Sequence, residues 1–444
     1  MNPQRPPFPA SWLVRLVLSL LPLGYLIWTC RRLFVDVPYA DQWELVRRLD
    51  RLDLGTLSIR DVWGQHNEHR PMFPIVLMLG LAELTGWNLS AEVAANVLLG
   101  IGLFTVCALH VARLPAADRA VAQWSLPVLS LLIFSMGQWE NWLWGLQMQL
   151  FMGVLASTAG WWLLAKEPGS RWALAGSIAC GIVTTYSFAA GLTYWFVGLP
   201  ALWLHPAHRT RFRIAGWVAA GAATIGSYFY DYQQSASHLP LSINLGSAHT
   251  VWNWLAFIAR NLGAPVALYD ARVAAGAGAI SAVAFLYLMV RLRARRHDAA
   301  YLFPALVGMH AFTGAVLTAL GRAPLGGLPL VSRYTTAAGQ FWVAVMLLAC
   351  VAIASWPKAV LASRRRAAAI VVAAALGFSL VLTARQGAAE AQHLRSTLRA
   401  ARTALIRDSN PKLIGWLYNN AVAEVKHRRR VLRMLRMWIY RDEP

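Results

Sequence analysis

Between the first long apolar run of this chain and the second lies a stretch that holds Asp41, Glu44, His66, Glu68, His69 and Arg70 in an otherwise oily sequence. Nine of the twenty acidic residues fall between Asp36 and Glu92, so titratable chemistry is concentrated there. Asp41 and Glu44 are three residues apart and share a face if the segment is a short helix. Such a pair can set a general base beside a second carboxylate that orients a hydroxyl or tunes its partner. The run from His66 to Arg70 offers two imidazoles, a carboxylate and a guanidinium within five residues. Three roles stay open for it: substrate hydrogen bonding or pKa tuning, a metal site, or loop structure. The His-x-x-His spacing lacks the i, i+4 geometry of the common zinc helix and has no third ligand nearby, which disfavours metal.

A second polar set is scattered further along the chain. Gln138, Glu140 and Asn141 precede Gln147 and Gln149, while Arg322, Arg333 and Tyr334 border a Pro/Gly-rich stretch. Two arginines at that boundary lie away from the basic clusters and invite an anion such as a phosphate. Trp139, Trp142 and Trp144 read as an interfacial aromatic belt ahead of a sugar-stacking platform. His310, alone in an apolar run, reads as hydrogen-bonded to a neighbouring helix.

The elements that must position these residues are set by composition. With 57% hydrophobic and 14% charged residues, the chain prefers lipid to water. An excess of 21 positive charges would suggest nucleic acid in a soluble protein. Here the charges fall in short clusters between apolar runs: Arg113/Arg119, Lys166/Arg171, Arg209 to Arg213, Arg291 to Arg296 and Lys358 to Arg366. That is the pattern of cytoplasmic loops in a multi-pass membrane protein, with no nucleic-acid partner. The other connections, near 138–145, 188–192, 231–272 and 321–334, carry only Arg260, Arg272, Arg322 and Arg333 and should face outside.

An all-α bundle of about eleven crossings, within a range of about 10–13, satisfies this alternation. The crossings fall near 12–30, 93–112, 121–137, 146–165, 172–187, 190–204, 213–230, 273–290, 300–320, 335–355 and 367–384. The first outer loop spans 31–91. Within it, Met72 to Trp87 is too short to cross, opens with Pro71 and Pro74 and contains Glu83, which suits an interfacial or re-entrant helix. Residues 1–384 make the membrane domain. Residues 385–444 form a tail with thirteen Lys and Arg, whose apolar spacing predicts two or three amphipathic helices broken at Asn410-Pro411. The tail reads as a binder of anionic headgroups, with acceptor docking as the alternative. Cys30, Cys107, Cys180 and Cys350 have no paired spacing and read as packing residues.

A retained first helix, a long outer loop opening with an Asp motif, a short Pro-initiated helix and a multispan bundle with later outer arginines together resemble the GT-C superfamily of integral-membrane glycosyltransferases. The resemblance covers roughly residues 12–345 as architecture, and the chain also looks like bacterial enzymes that glycosylate surface structures, pilin arabinosyltransferases among them. It implies transfer of a sugar from a polyprenyl phosphate donor to an acceptor, protein, glycan or lipid, outside the cytoplasm. Asp41 takes the place of the family's base, with Glu44 beside it; Arg70, Arg322 or Arg333 take that of the donor-phosphate contacts. His66, Glu68, His69, Tyr334, Gln138, Glu140 and Asn141 complete the expected site. No cofactor is required, since the phosphate is already a leaving group. The expected location is a bacterial inner membrane with the site facing the periplasm. The rival reading is a transporter or lipid-linked glycan flippase without transferase activity, against which stands the absence of internal repeats and midplane charges.

Overall fold

Apolar runs as long as these must satisfy their backbone polar groups internally, and helices are the solution they adopt. The computed structural model describes residues 10–233, 248–323, 330–356 and 364–441. Among these residues helices are joined by loops, with no strand and one isolated β-bridge between His66 and His69. The Pro/Gly-rich stretch around 324–329, the segment 234–247 and Lys358 lie outside the described residues.

Among the described residues, seven helices are long and apolar enough to cross a membrane. They are α1 (Ala10–Leu33), α5 (Leu89–Arg113), α9 (Met148–Lys166), α14 (Ala271–Arg291), α15 (Ala299–Arg322), α16 (Thr335–Ala354) and α17 (Arg364–Arg407). An eighth span is made if α6 (Ala116–Ala122) and the helices that follow, α7 (Leu126–Ile133) and α8 (Trp139–Leu143), are taken as one element bent by 50°. The protein is thus a multi-pass helical membrane protein, with fewer long spans than the eleven runs the sequence suggests. The difference lies in α10 (Arg171–Thr185), α11 (Thr193–Leu204) and α12 (Arg211–Phe229), which are shorter or less apolar than a full span.

The expected outside connection 231–272 contains a helix that periodicity reading missed, α13 (Ala248–Ala267). Arg260, Asn253 and Asn261 dilute its hydropathy, but its apolar face packs along α14. Gly263 lies on Ala274 and Gly278 on Ala259, so closely that a Cβ at either glycine would enter the neighbour's backbone. Met72–Thr85 folds as the expected short helix, α4.

Four of the five basic clusters meet at one end of the bundle, Lys358 to Arg366 lying outside the residues whose side chains are described. Arg295 grips Asp118 with two hydrogen bonds of 3.0 and 2.6 Å, and His205 Nε2 donates to the His297 carbonyl at 3.1 Å. His208 Nε2 donates to the Leu164 carbonyl at 3.1 Å. The loops carrying Arg113/Arg119, Lys166/Arg171, Arg209 to Arg213 and Arg291 to Arg296 therefore share a face.

The opposite end has its own apolar core, in which the first loop and the tail are one unit. The helix α17 runs unbroken for 44 residues through the expected domain border at 385, roughly 66 Å at 1.5 Å per residue. Only about half of that length fits a hydrocarbon layer of about 30 Å. The remainder projects and turns back through α18 (Pro411–Trp416) and α19 (Val422–Met434). Leu405, Leu417, Val425, Leu432 and Trp438 then pack on Trp43, Leu49, Met78 and Trp87 from the first loop and α4. The break at Asn410-Pro411 is as the sequence indicates, with the Asn410 side chain accepting from the Leu413 N–H. The apolar face of the tail is thus covered by protein. Replacing fully buried Trp438 by alanine should cost about 3–5 kcal/mol. The expected readout is a clear loss of melting temperature in detergent, with Trp252→Ala at an exposed site nearly silent.

Candidate functional site at the loop end

Asp41 is presented by a strained turn. Ala40, immediately before it, has φ +48°, in the left-handed region that costs an L-residue about 1–2 kcal/mol. Its N–H is held by the Leu417 carbonyl at 2.8 Å, so the tail helps to fix the conformation. Gln42 and Trp43 point inward, Gln42 donating to Glu92 at 2.6 Å and Trp43 fully buried. Immediately before them Asp41 faces outward, part-exposed, with Oδ2 3.3 Å from His66 Nε2.

His66 and His69 exchange backbone hydrogen bonds of 2.8 and 2.9 Å across a tight turn whose tip, Asn67, has φ +50°. The turn sends the two imidazoles to different partners. His66 meets Asp41, whereas His69 stacks on Phe188 at 4.2 Å and its Nδ1 accepts the Ala189 N–H at 3.2 Å. Because Nδ1 accepts, the His69 proton sits on Nε2, which faces Glu68 at 3.5 Å. Glu68 in turn forms an ion pair with Arg322 from the end of α15. Among the described residues, no group of three or more His, Cys, Asp or Glu side chains is arranged to hold a metal ion.

Arg70 is differently employed. It is buried, stacks 4.1 Å over Trp63, and donates to the Tyr228 and Tyr230 carbonyls at 2.6 Å each. Those carbonyls are at the C-terminal end of α12, where a cation also complements the helix dipole. Arg70 therefore ties the first loop to α12.

The second polar set closes into one network. Arg333 Nη1 donates to Glu140 Oε1 at 3.2 Å, and the Arg333 backbone N–H donates to the other carboxylate oxygen at 3.2 Å. The Glu140 N–H returns a bond to Ser332 Oγ at 3.0 Å. Asn141 donates to the Arg333 carbonyl at 3.0 Å and to Thr336 at 2.6 Å, and Thr336 donates to Gln138. Arg333 also lies 5.7 Å over the Tyr334 ring. Trp142 is fully buried in the core against Phe151, while Trp139 and Trp144 are half-buried against the first loop and α17, so the three tryptophans form no lipid-facing belt.

Tyr39, which motif reading passed over, connects the two sets. Its carbonyl accepts from Trp144 Nε1 at 3.1 Å. Burial and then the Glu140 carboxylate raise its phenol above the ordinary value, with Arg333 opposing and Asp41 adding. Only a residue close to all three charges responds in this way, and Tyr39 is two positions from Asp41.

Glu44 does not share a face with Asp41. It accepts from the Tyr418 hydroxyl and from Arg428 at 3.2 Å, both in the tail. Burial raises its carboxyl, but Tyr418 and Arg428 outweigh burial and hold it below its ordinary 4.5.

Two cavities flank this assembly. The first, of about 710 Å³, runs down between α9, α10, α15 and α16 from Phe188 and Tyr334 at the top to His310 and Trp161 at depth. His310 Nδ1 lies 3.2 Å from Thr193 Oγ1, the expected neighbouring-helix contact. The second, of about 670 Å³, lies between the end of α1, the Tyr39 turn, Trp144 and α17. Tyr334 lines the first and Glu140 the second, so the Glu140–Arg333 pair stands between them.

Comparison with family models, with curated proteins and with solved structures finds no match to this chain.

A carboxyl whose folded pKa is lowered stabilises the fold in its ionised form, and that contribution is lost as pH falls through the folded value. Glu44 acts in this sense on tail docking, and Asp408, lowered by its hydrogen bond to Lys426, adds to it. Asp36, raised by burial against the pull of Arg402 and Arg441, acts in the opposite sense. Proteolysis at the Arg428 to Arg430 run should therefore accelerate as pH falls below about 4.5. Glu44→Gln should raise cleavage at pH 7 and flatten the profile; an unchanged profile would remove Glu44 from tail docking.

Proposed function

We propose that this protein is a GT-C-type glycosyltransferase that moves a sugar from a polyprenyl phosphate to an acceptor at the periplasmic face of a bacterial inner membrane. The observation that carries the reading is Asp41. It is a part-exposed carboxylate oriented by His66, at the end of the bundle where two arginines and the top of a deep apolar cavity also lie. Orientation is argued from the basic loops, which gather at the opposite end and should face the cytoplasm. Adding α10, α11 and α12 as short spans to the seven long helices and the bent pair gives about eleven crossings. Ten of these separate the first loop from the tail, and an even number is what their shared core requires.

In the proposed reaction the Asp41 carboxylate takes the acceptor proton while the acceptor oxygen attacks the anomeric carbon from the face opposite the phosphate. The bond from that carbon to the phosphate oxygen breaks, and the polyprenyl phosphate leaves with the electron pair. Arg333 supports the departing charge: of its five N–H donors on the guanidinium, Glu140 engages Nη1. Arg322, paired with Glu68, is the second candidate. His66 Nε2–H holds Asp41 in line. Glu44 supports the tail and Arg70 the α12 contact, so neither is assigned to the chemistry. The isoprenoid chain of the donor fits the first cavity, whose wall is largely apolar.

A carrier or flippase is the second reading, favoured by His310, Asn261 and Gln340, which line the same cavity. Transfer separates the two. With a synthetic polyprenyl phosphate arabinose as first donor and membrane extract as acceptor, Asp41→Asn should keep donor binding and lower transfer at least about a hundredfold. Wild-type turnover in that variant would remove Asp41 from the mechanism, and donor binding without transfer in the native protein would favour the carrier. Arg333→Lys should weaken donor use despite keeping the charge, and Arg333→Ala should weaken it further; normal turnover in both moves the phosphate to Arg322. For orientation, a cysteine replacing exposed Asn67 should react with an impermeant thiol reagent from outside, and one replacing exposed Arg296 only after the cytoplasmic face is opened.

A further inference from the structure

The second cavity is lined by neither Asp41 nor His66 and can hold an occupant whether or not the protein is a transferase. It begins where α1 ends, at Leu33 and Phe34, and its far wall is Leu394 and Leu398 on α17. The two helices that bound it, α1 and α17, have only 22% of their apolar windows covered by protein, the lowest coverage among the seven long helices. The α17 wall, Ala391 to Leu398, lies on the part of that helix that projects past the hydrocarbon layer, so an occupant sits at the lipid boundary beside the end of α1. Trp144 and Tyr39 supply aromatic ring surface on the inner wall of the cavity.

The polar group that selects the occupant is Arg395. It lines the cavity, and its Nε is shielded from solvent without a hydrogen-bond partner. Its charged neighbours are Arg399 and Arg32, both of the same sign. One guanidinium donor is left without a partner beside two like charges, while the rest of the half-exposed side chain stays open to a ligand. An anion with tetrahedral oxygens relieves both defects, because the Arg fork matches phosphate geometry. Glu140, the carboxylate on the opposite wall, already has Arg333 as its partner.

We infer that this cavity binds a membrane lipid with a net negative phosphate headgroup, the phosphate on Arg395 and the chain running back along Leu394, Phe34 and Leu33. Such a lipid would lie against Tyr39 and Glu140, and so against the groups that surround Asp41.

The test is native mass spectrometry of the full-length protein in detergent, titrated separately with phosphatidylglycerol, phosphatidylcholine, a polyprenyl phosphate and inorganic phosphate. The native protein should retain one phosphatidylglycerol or polyprenyl phosphate at least about tenfold better than phosphatidylcholine. Whichever of the two is held more tightly identifies the lipid. Arg395→Gln should erase the preference, and Leu394→Trp, which fills the cavity, should lower retention of every lipid. Arg209→Gln, exposed at the other end of the bundle, should change nothing. Each variant is compared only where its melting temperature is native-like, and Arg395→Gln removes a charge without adding bulk. Equal retention of charged and zwitterionic lipid, or a preference that survives Arg395→Gln, would overturn the inference. Inorganic phosphate that stabilises the protein as well as the lipids do, with the same dependence on Arg395, would also overturn it in favour of a free-anion site.

Discussion

The loop end of this protein depends on apolar burial between the two extremities of the chain. The tail brings Leu405, Leu417, Leu432 and Trp438 onto Trp43, Leu49 and Trp87, and this second core is what gives the first loop a defined shape. Short helices on a loop of that length have little stability of their own. Packed under the tail they hold a strained residue, Ala40, through a single carbonyl, and the strain sits one position before the carboxylate that the site presents. Glu44, Tyr418 and Arg428 add a charged hydrogen-bonded contact at the edge of the same interface. A tail that could have lain on headgroups is instead a structural part of the site.

Around that core, charge is paired across long sequence separations. Asp41 meets His66, Glu68 meets Arg322, and Glu140 meets Arg333. Groups at the boundary of a low-dielectric slab are costly without partners, and each pair also fastens one segment to another. Glu68 joins the first loop to the end of α15, and Glu140 joins α8 to the start of α16. Arg70 does the same for α12 through backbone carbonyls. The cluster is therefore both the polar rim of the cavities and the set of ties that keeps the helices in register around them.

The two cavities differ in what they admit. The first is enclosed by the central helices and is polar only at a few places along its depth, such as His310 and Gln340. The second lies at the edge of the bundle, between helices that protein covers least, with a guanidinium in its wall. Their common partition, Glu140 with Arg333, is anchored by hydrogen bonds to Ser332 and Asn141.

Hydropathy and charge alternation, read from the sequence alone, determine that the chain is a helical multi-pass protein, that its basic loops share one end, and that Met72–Thr85 is a short helix. These are local properties: a run of apolar residues must fold as helix in lipid, and a basic loop resists translocation, whatever the rest of the chain does. The helix break at Asn410-Pro411 and the gathering of Gln138, Glu140, Asn141, Ser332 and Arg333 at one level were legible for the same reason. What tertiary structure alone decided is the choice of partner. Spacing puts Asp41 and Glu44 on one face, but packing turns one to His66 and the other to Tyr418 and Arg428. Spacing makes Arg70 a candidate anion site, whereas burial gives it to the α12 carbonyls. Helix α13 hid because Asn253, Arg260 and Asn261 dilute its hydropathy, while its tight contact with α14 runs through glycine and alanine. An amphipathic tail has the same periodicity whether its apolar face meets lipid or protein. Only the presence of a complementary surface, built from residues of the distant first loop, settles which it is; Glu44 alone is 374 positions from Tyr418.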